Sequence, residues 1–473
     1  MKKLLSVAPL VLLATGASAQ VAPPGESPVL GPNRITQADI TSGMLTLTDI
    51  RKEGLKIFAS PFNKHDGYGD GPVNPADTTS PGGRPTLQNN GTFLRLNGLD
   101  AQTCQECHSV GSNATVPFTF AIGGVGGSNN NPMFQPKNID VDDSDGNGHA
   151  FFDGRYINPP FLFGSGGVEL AGKEMTADLQ AIKALAQANP DVVFQLDTKG
   201  VNFGSIVFDS GLGDFDVSNV EGIEHDLVVR PFGRKGEFAT VRGFDVGAMM
   251  FHFGMQPVED PTVGPGFDAD GDGVVDEILI GEMSALHIFN TNLEPPEIRK
   301  DNPNFLPGSR HFDRLGCSDC HKPFLDTDSP FLTYSFPEVE EDPSANVFMM
   351  VDMRTAPTSF ATAPTSLGVR VPLFSDLKRH NMGPGLAETF QGAPNQQFNE
   401  EFITPRLWGI ADTAPYLHDG RALTLTEAIT AHGGEAQQAR DDFVNSSDQV
   451  KIELLDFLRT LRTPKNPGAD LLP

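Results

Sequence analysis

The chain has 473 residues, 34 of them basic and 61 acidic, for a net charge of −27 at neutral pH. That charge excludes a typical nucleic-acid binder, whose affinity rests on clustered lysine and arginine. It would steer a cationic protein toward this one, although solubility alone also accounts for it.

Residues 1–19 read as a cleavable export signal: Lys2 and Lys3 precede an apolar run from Leu4 to Ala14, and Ala17-Ser18-Ala19 supplies small residues for cleavage. The run is too short to span a bilayer, and no later stretch reaches about 18 apolar residues, so no membrane span is expected. Export, to the periplasm, is the expected localisation. Two or three domains suit the length. The 50 Gly and 38 Pro suit long irregular connections. Residues 20 to about 50 and 463–473 read as peripheral tails.

All four cysteines fall in two five-residue motifs, CQECH at 104–108 and CSDCH at 317–321. C-x-x-C-H is the attachment signature of c-type haem. Two thiols can add to the two vinyl groups of one haem, and the next residue offers an imidazole to the iron. Structural zinc needs four ligands, and neither motif has a second pair nearby. Disulfides or thioredoxin-like redox chemistry would leave a histidine after both pairs to coincidence. Haem c is attached after export, which agrees with the signal.

Further along, Met175, Leu179, Ile182 and Leu185 form one helical face before Pro190. Residues 192–245 (VVFQLDT, GSIVFDS, DLVVRPF) suit a few strands. In DADGDGVVDEI, Asp268, Asp270, Asp272 and Asp276 lie at alternate or near-alternate positions around Gly273, as calcium ligands do. Position twelve of that loop is Leu279 and not glutamate, so an EF-hand is excluded and Asp276 is the expected closing ligand; a plain Asp/Gly turn is the competing reading. DVDDSDGNG at 140–148 is a weaker candidate of the same kind.

In HDGRALTLTEAITAHGG (418–434), Thr424 and Glu427 form a capping box. Leu425, Ala428, Ile429 and His432 share one face, and Gly433-Gly434 ends the helix. His432 is therefore the candidate sixth ligand for the second iron, with His418 as competitor and Met255 and Met382 as further axial candidates. Trp408, the only tryptophan, is either a relay between haems or a packed core aromatic. Val450, Leu454, Phe457, Leu458 and Leu461 form a last apolar face after Ser446-Ser447. The whole reads as mainly α, with two cytochrome c-like haem lobes, long loops and a few short strands. The expected division is an N-terminal haem domain at 20–260 and a C-terminal one at 261–473.

The pieces RLNGLDAQTCQECH, INPPFLFGSGGVE, VVRPFGRKGEFATVRG, DADGDGVVDEI, LGCSDCHKP, SDLKRHNMGP and TPRLWGIADTAPYLHDGRALTLTEAITAHGGEAQQAR occur in order from about residue 55 to 461. Together they resemble the di-haem oxidoreductases, sometimes called thiol oxidoreductase-like, of the di-haem cytochrome c peroxidase superfamily. The resemblance implies two covalent haems, structural calcium, and peroxide reduction with electrons from a small cytochrome c or cupredoxin. In the related peroxidases the helix after the HDG turn carries the distal ligand of the C-terminal haem, often methionine; His432 stands there, which implies a lower potential. The N-terminal haem, on Cys104, Cys107 and His108, would be the reactive one. His149 stands where a displaceable distal histidine is expected. Glu174 resembles the proton-moving acid, with Glu169 as competitor. Related architectures also oxidise proteins or cleave polymers. A pure electron carrier with both irons six-coordinate is the other class of function.

Overall fold

Local signals set several helices before any packing is considered. Thr36 caps α1 (Gln37–Thr41) and Thr46 caps α2 (Leu47–Ala59), each with an aspartate at the third helical position closing a capping box. Thr240 caps α4 (Val241–Ala248), Thr424 caps α9 (Leu425–Ala431) and Ser447 caps α11 (Asp448–Leu458). The remaining helices are α3 (Ser165–Ala188), α5 (Ile280–Thr291), α6 (Phe305–Arg314), α7 (Cys317–Cys320), α8 (Gln396–Glu400) and α10 (Gln437–Asn445). These come from a computed structural model, which describes residues 25–69, 101–108, 133–139, 152–388, 396–465 and 467–471. The expected export signal, His149 and the 140–148 loop lie outside the described residues.

Helix outweighs strand, as expected, but strands are more numerous than the few anticipated. Phe194–Thr198, Val201–Asp209 and Asp214–Asp216 form an antiparallel meander inside the segment read as strand. Lys199 and Gly200 both take positive φ between the first two, the two-residue turn that matches strand twist. Residues 226–232, also expected as strand, are instead turn and coil with a single bridge from Phe232 to Phe238, and their Leu227, Val228 and Val229 are buried. The other sheets among the described residues are two-stranded, the longest pairing Met133–Ile139 with Phe152–Ile157 and Phe331–Ser335 with Val347–Asp352.

The larger apolar core is organised on α5, which is buried on nearly every side. α1, α2, α3 and α4 all pack on it. Gly54 permits a close approach of α2: a Cβ there would meet the Ala285 carbonyl oxygen at 2.2 Å. This core therefore runs across residue 260, the expected domain boundary. A smaller core joins Phe312, Leu315, Phe374 and Phe443 to Leu454, Phe457, Leu458 and Leu461. The apolar face expected for α11 is thus the one buried. On α3 the expectation is met at Met175 and Leu179 but not at Leu185, which is exposed, because the helix starts earlier and buries its N-terminal turns instead.

Neither expected tail is peripheral. Leu30, Ile35, Ile40 and Ile50 are buried, and Arg34 bonds the carboxylate of Glu282 and the carbonyls of Asp276 and Glu277. At the other end Thr463 is buried, Gly468 N–H donates to Glu294, and Asp470 pairs with the buried Arg51. Short-range pattern cannot reveal such contacts, since their partners are hundreds of residues away.

Candidate functional site

The two C-x-x-C-H motifs fold alike. Each forms a single helical turn, a 3-10 turn at Cys104–Glu106 and α7 at the second. In each, the histidine N–H donates to the carbonyl of the first cysteine, at 2.9 Å for His108 and 3.0 Å for His321. One turn brings both thiols to the same face. None of the four cysteines is in a disulfide, and burial pushes the thiols of Cys104 and Cys317 up, the latter to about 12.

The imidazoles are prepared alike as well. His108 Nδ1 lies 2.7 Å from the Pro160 carbonyl and His321 Nδ1 lies 3.1 Å from the Phe374 carbonyl. A carbonyl can only accept, so Nδ1 carries the proton and Nε2 keeps its lone pair. Burial pushes both rings down to about 4, so both are neutral at pH 7. His432 repeats the arrangement, with Nδ1 donating to Ala428 O at 2.8 Å and burial lowering the ring's pKa. It sits one residue beyond its expected place: α9 ends at Ala431 and His432 is the extended cap. Its ring centroid lies 6.5 Å from that of His321. Two imidazoles sharing one metal, each nitrogen about 2 Å from it and about 1.1 Å from its ring centre, would place centroids at most about 6.2 Å apart. Chemistry and spacing both fit haem c at the second motif, and donor chemistry alone fits it at the first.

Among the competitors, His418 stacks on Phe402 at 4.3 Å and burial holds it down to about 4. Met255 is fully buried core, and Met382 N–H bonds Glu400 O. Trp408 is 1% exposed, stacked on Phe360 and packed against Gly164. Beside the second motif, His380 bonds Asp376 at 2.8 Å and Glu435 at 2.7 Å. Burial opposes its charge, but bonds to Asp376, Cys320 and Glu435 overcome burial and raise it to about 12.

The two acid candidates part company. Glu174 accepts from the backbone N–H of Asp328 and Ser329 and pairs with Lys199 at 2.6 Å, so its carboxylate fixes a turn. Glu169 is wholly buried. Its oxygens meet His287 Nε2 at 2.9 and 3.0 Å, Lys173 Nζ at 2.7 Å and the Val241 N–H at 2.8 Å. Burial alone would push its pKa up; the neighbouring His287 and Lys173 win and hold it well below the usual range. Around it lie Asp245, bonded by Asn290 and pushed well up by burial, and Tyr334, bonded by Asn292 and Thr291. Asp245 is close enough to Cys104 to raise that thiol further, and His252 is close enough to His108 to add to its downward shift. Sequence reasoning missed His287, Lys173, Asp245 and His252. The signal was present in SALHIFNTN: a helix apolar enough to be buried all round that still carries His, Asn and Thr must find partners for them.

At the acidic loop, Asp268, Asp270 and Asp272 each bring a carboxylate oxygen within 4.8 Å of the others. Asp276, the expected closing ligand, accepts from Gly266 N–H at 2.7 Å and lies outside the three-carboxylate cluster. Glu277 is the fourth carboxylate near the three: burial first, then the charges of Asp270, Asp272 and Asp268, push it up to about 9.

Residues 363–461 match the family described as "Di-haem oxidoreductase, putative peroxidase", which shows over that segment the resemblance read from the sequence. No curated protein matches the chain. Two solved structures are similar at a distance. A MauG-like protein associated with microbial copper homeostasis is 17% identical, covers 63% of this chain and 85% of its own, and has a TM-score of 0.27. Hydrazine synthase of Kuenenia stuttgartiensis, pressurized with xenon, is 17% identical with a TM-score of 0.23. It covers 38% of this chain, which spans 55% of its length. Among the described residues no helix is long and apolar enough to cross a membrane.

Proposed function

We propose that the chain is an exported, periplasmic di-haem c-type oxidoreductase that reduces hydrogen peroxide. The observation that carries this reading is the twofold arrangement in which a C-x-x-C turn is followed by a neutral histidine held through Nδ1 to a backbone carbonyl. Cys104, Cys107 and His108 would hold one haem, and Cys317, Cys320, His321 and His432 would hold the other. Haem so bound supplies single-electron chemistry and, at a site with an open face, reduction of peroxide.

The chain's own residues divide the labour. His432 is fixed by its Ala428 bond and would serve as a second histidine ligand to the C-terminal haem, suiting that haem to electron storage. Near the N-terminal centre, Glu169 is the favoured proton-moving acid, because it is buried, charged and bonded to a second titratable group, His287. Glu174 is committed to the 328–329 turn. His149 stays a candidate displaceable ligand. A small cationic cytochrome or cupredoxin would deliver electrons to the acidic surface. Calcium, held by Asp268, Asp270 and Asp272, would brace the approach to the second motif.

The test is to reduce the purified protein fully and add carbon monoxide. One haem binds it, a His108→Ala variant abolishes that binding, and peroxide is consumed. If neither haem binds carbon monoxide and peroxide is ignored in every redox state, the enzyme reading fails and the electron carrier stands. Intact mass should exceed the processed chain by two haems; a haem-free protein exported with working maturation would end both readings.

A further inference from the structure

Arg406 is a cation without a counter-ion. It lies in coil between the strand Glu401–Ile403 and the turn that starts at Ile410. Its neighbour Leu407 packs into the smaller core with Cys317, and Trp408 packs into the larger one. The guanidinium carbon is 5.8 Å from the Phe232 ring centre, and Nη1 is sealed from solvent with no hydrogen-bond partner. Among the described residues no carboxylate forms an ion pair with it, in a protein with 61 acidic side chains to 34 basic ones. Arg34, Arg51, Arg230, Arg234, Arg242 and Arg462 all have such partners. Burial lowers the Arg406 pKa to about 10, with no opposing charge to raise it. Two residues on, the buried Trp408 has an Nε1 donor that is likewise sealed and unpaired.

Arg406 is half-buried as a residue, but its Nη1 is sealed, and a sealed donor without a partner costs about 1–3 kcal/mol. Two unpaired donors flanking one residue, where the two cores meet, call for an anion that the chain does not supply. Arginine's planar fork suits a carboxylate. We propose that Arg406 is the counter-ion of a haem propionate at the junction of the two cores, with the Trp408 N–H as a neighbouring donor. This rests on the di-haem reading above. A fixed positive charge at a propionate favours the ferrous state of that haem, so Arg406 is a positioning and tuning residue and not a catalytic one.

The test uses the full mature protein. In Arg406→Gln, one haem should become about tenfold more ferric at its wild-type midpoint, a downward shift of about 59 mV for one electron, while the other haem is unmoved. Arg406→Lys, which keeps the charge, should recover most of the shift. Two attached haems with both midpoints within twofold of wild type in the Gln variant would overturn the proposal, as would equal shifts in Gln and Lys. If the Gln variant does not mature, resonance Raman spectra of Arg406→Lys decide: a moved propionate bending band supports the proposal and an unmoved one overturns it. Absence of haem from the wild type would instead defeat the functional reading itself.

Discussion

Replacing Glu169 by glutamine keeps the side chain's shape and removes its charge. The carboxylate is wholly buried and meets three donor groups: Lys173 Nζ at 2.7 Å, His287 Nε2 at 2.9 Å and the Val241 N–H at 2.8 Å. A glutamine can offer one oxygen to these, and its NH2 must face a donor. Lys173, itself buried, is left with only the Thr333 carbonyl at 2.7 Å. Breaking a buried pair from one side costs about 3–5 kcal/mol, because the remaining charge stays desolvated. At roughly 2.1 cal/mol/K of unfolding entropy per residue, a chain of this length loses about 1 °C per kcal/mol, so Tm should fall by roughly 3–5 °C. Calorimetry of the mature protein measures this. Adding Lys173→Met should recover much of the loss, since it removes the buried charge left without its partner. In the same Glu169→Gln protein, peroxide turnover should fall about a hundredfold or more, with both haem spectra intact. A single variant within 1 °C of wild type would refute the ion-pair reasoning, and one with full turnover would remove Glu169 from proton transfer.

His432→Ala should convert the C-terminal haem from low-spin to high-spin in electron paramagnetic resonance and leave the other haem alone; an unchanged low-spin signal would pass the ligand role to Met382 or His418. At the acidic loop, burial and then Asp272 push Asp270 up to about 7, and burial first also pushes Glu277 up to about 9. Both folded values lie above the ordinary carboxylate range near 4, so the ion-free fold binds extra protons and loses stability as pH rises from about 4 through 9. Calcium should abolish that loss, chelator should restore it, and Asp270→Ala should make melting indifferent to both. On the acid side, His418 is buried with its pKa lowered to about 4 from an ordinary 6.5. The stability it contributes is present above pH 6.5 and lost as pH falls toward 4, about 3 kcal/mol in all. His418→Phe, which can keep the stack on Phe402, should flatten urea-unfolding stability across that window; an unchanged slope would refute it.

The features legible in the sequence are those whose physics is local. Each C-x-x-C-H closes its own helical turn, so both attachment motifs and their histidine hydrogen bonds follow from five residues each. The Thr424–Glu427 capping box likewise set the start of α9, and a strand region near 194–216 followed from its composition. Choosing between Glu169 and Glu174 was beyond local pattern. Both lie on α3, and five residues at about 100° each turn them to different faces. Only the packing of α3 on α5 decides that Glu169 faces inward to His287, 118 residues away, while Glu174 faces the 328–329 turn. The facing of His321 and His432, the bond of Asp276 to Gly266, the burial of both supposed tails and the unpaired charge of Arg406 are of the same kind. Each depends on which distant surface a side chain meets, and periodicity along the chain carries no record of that.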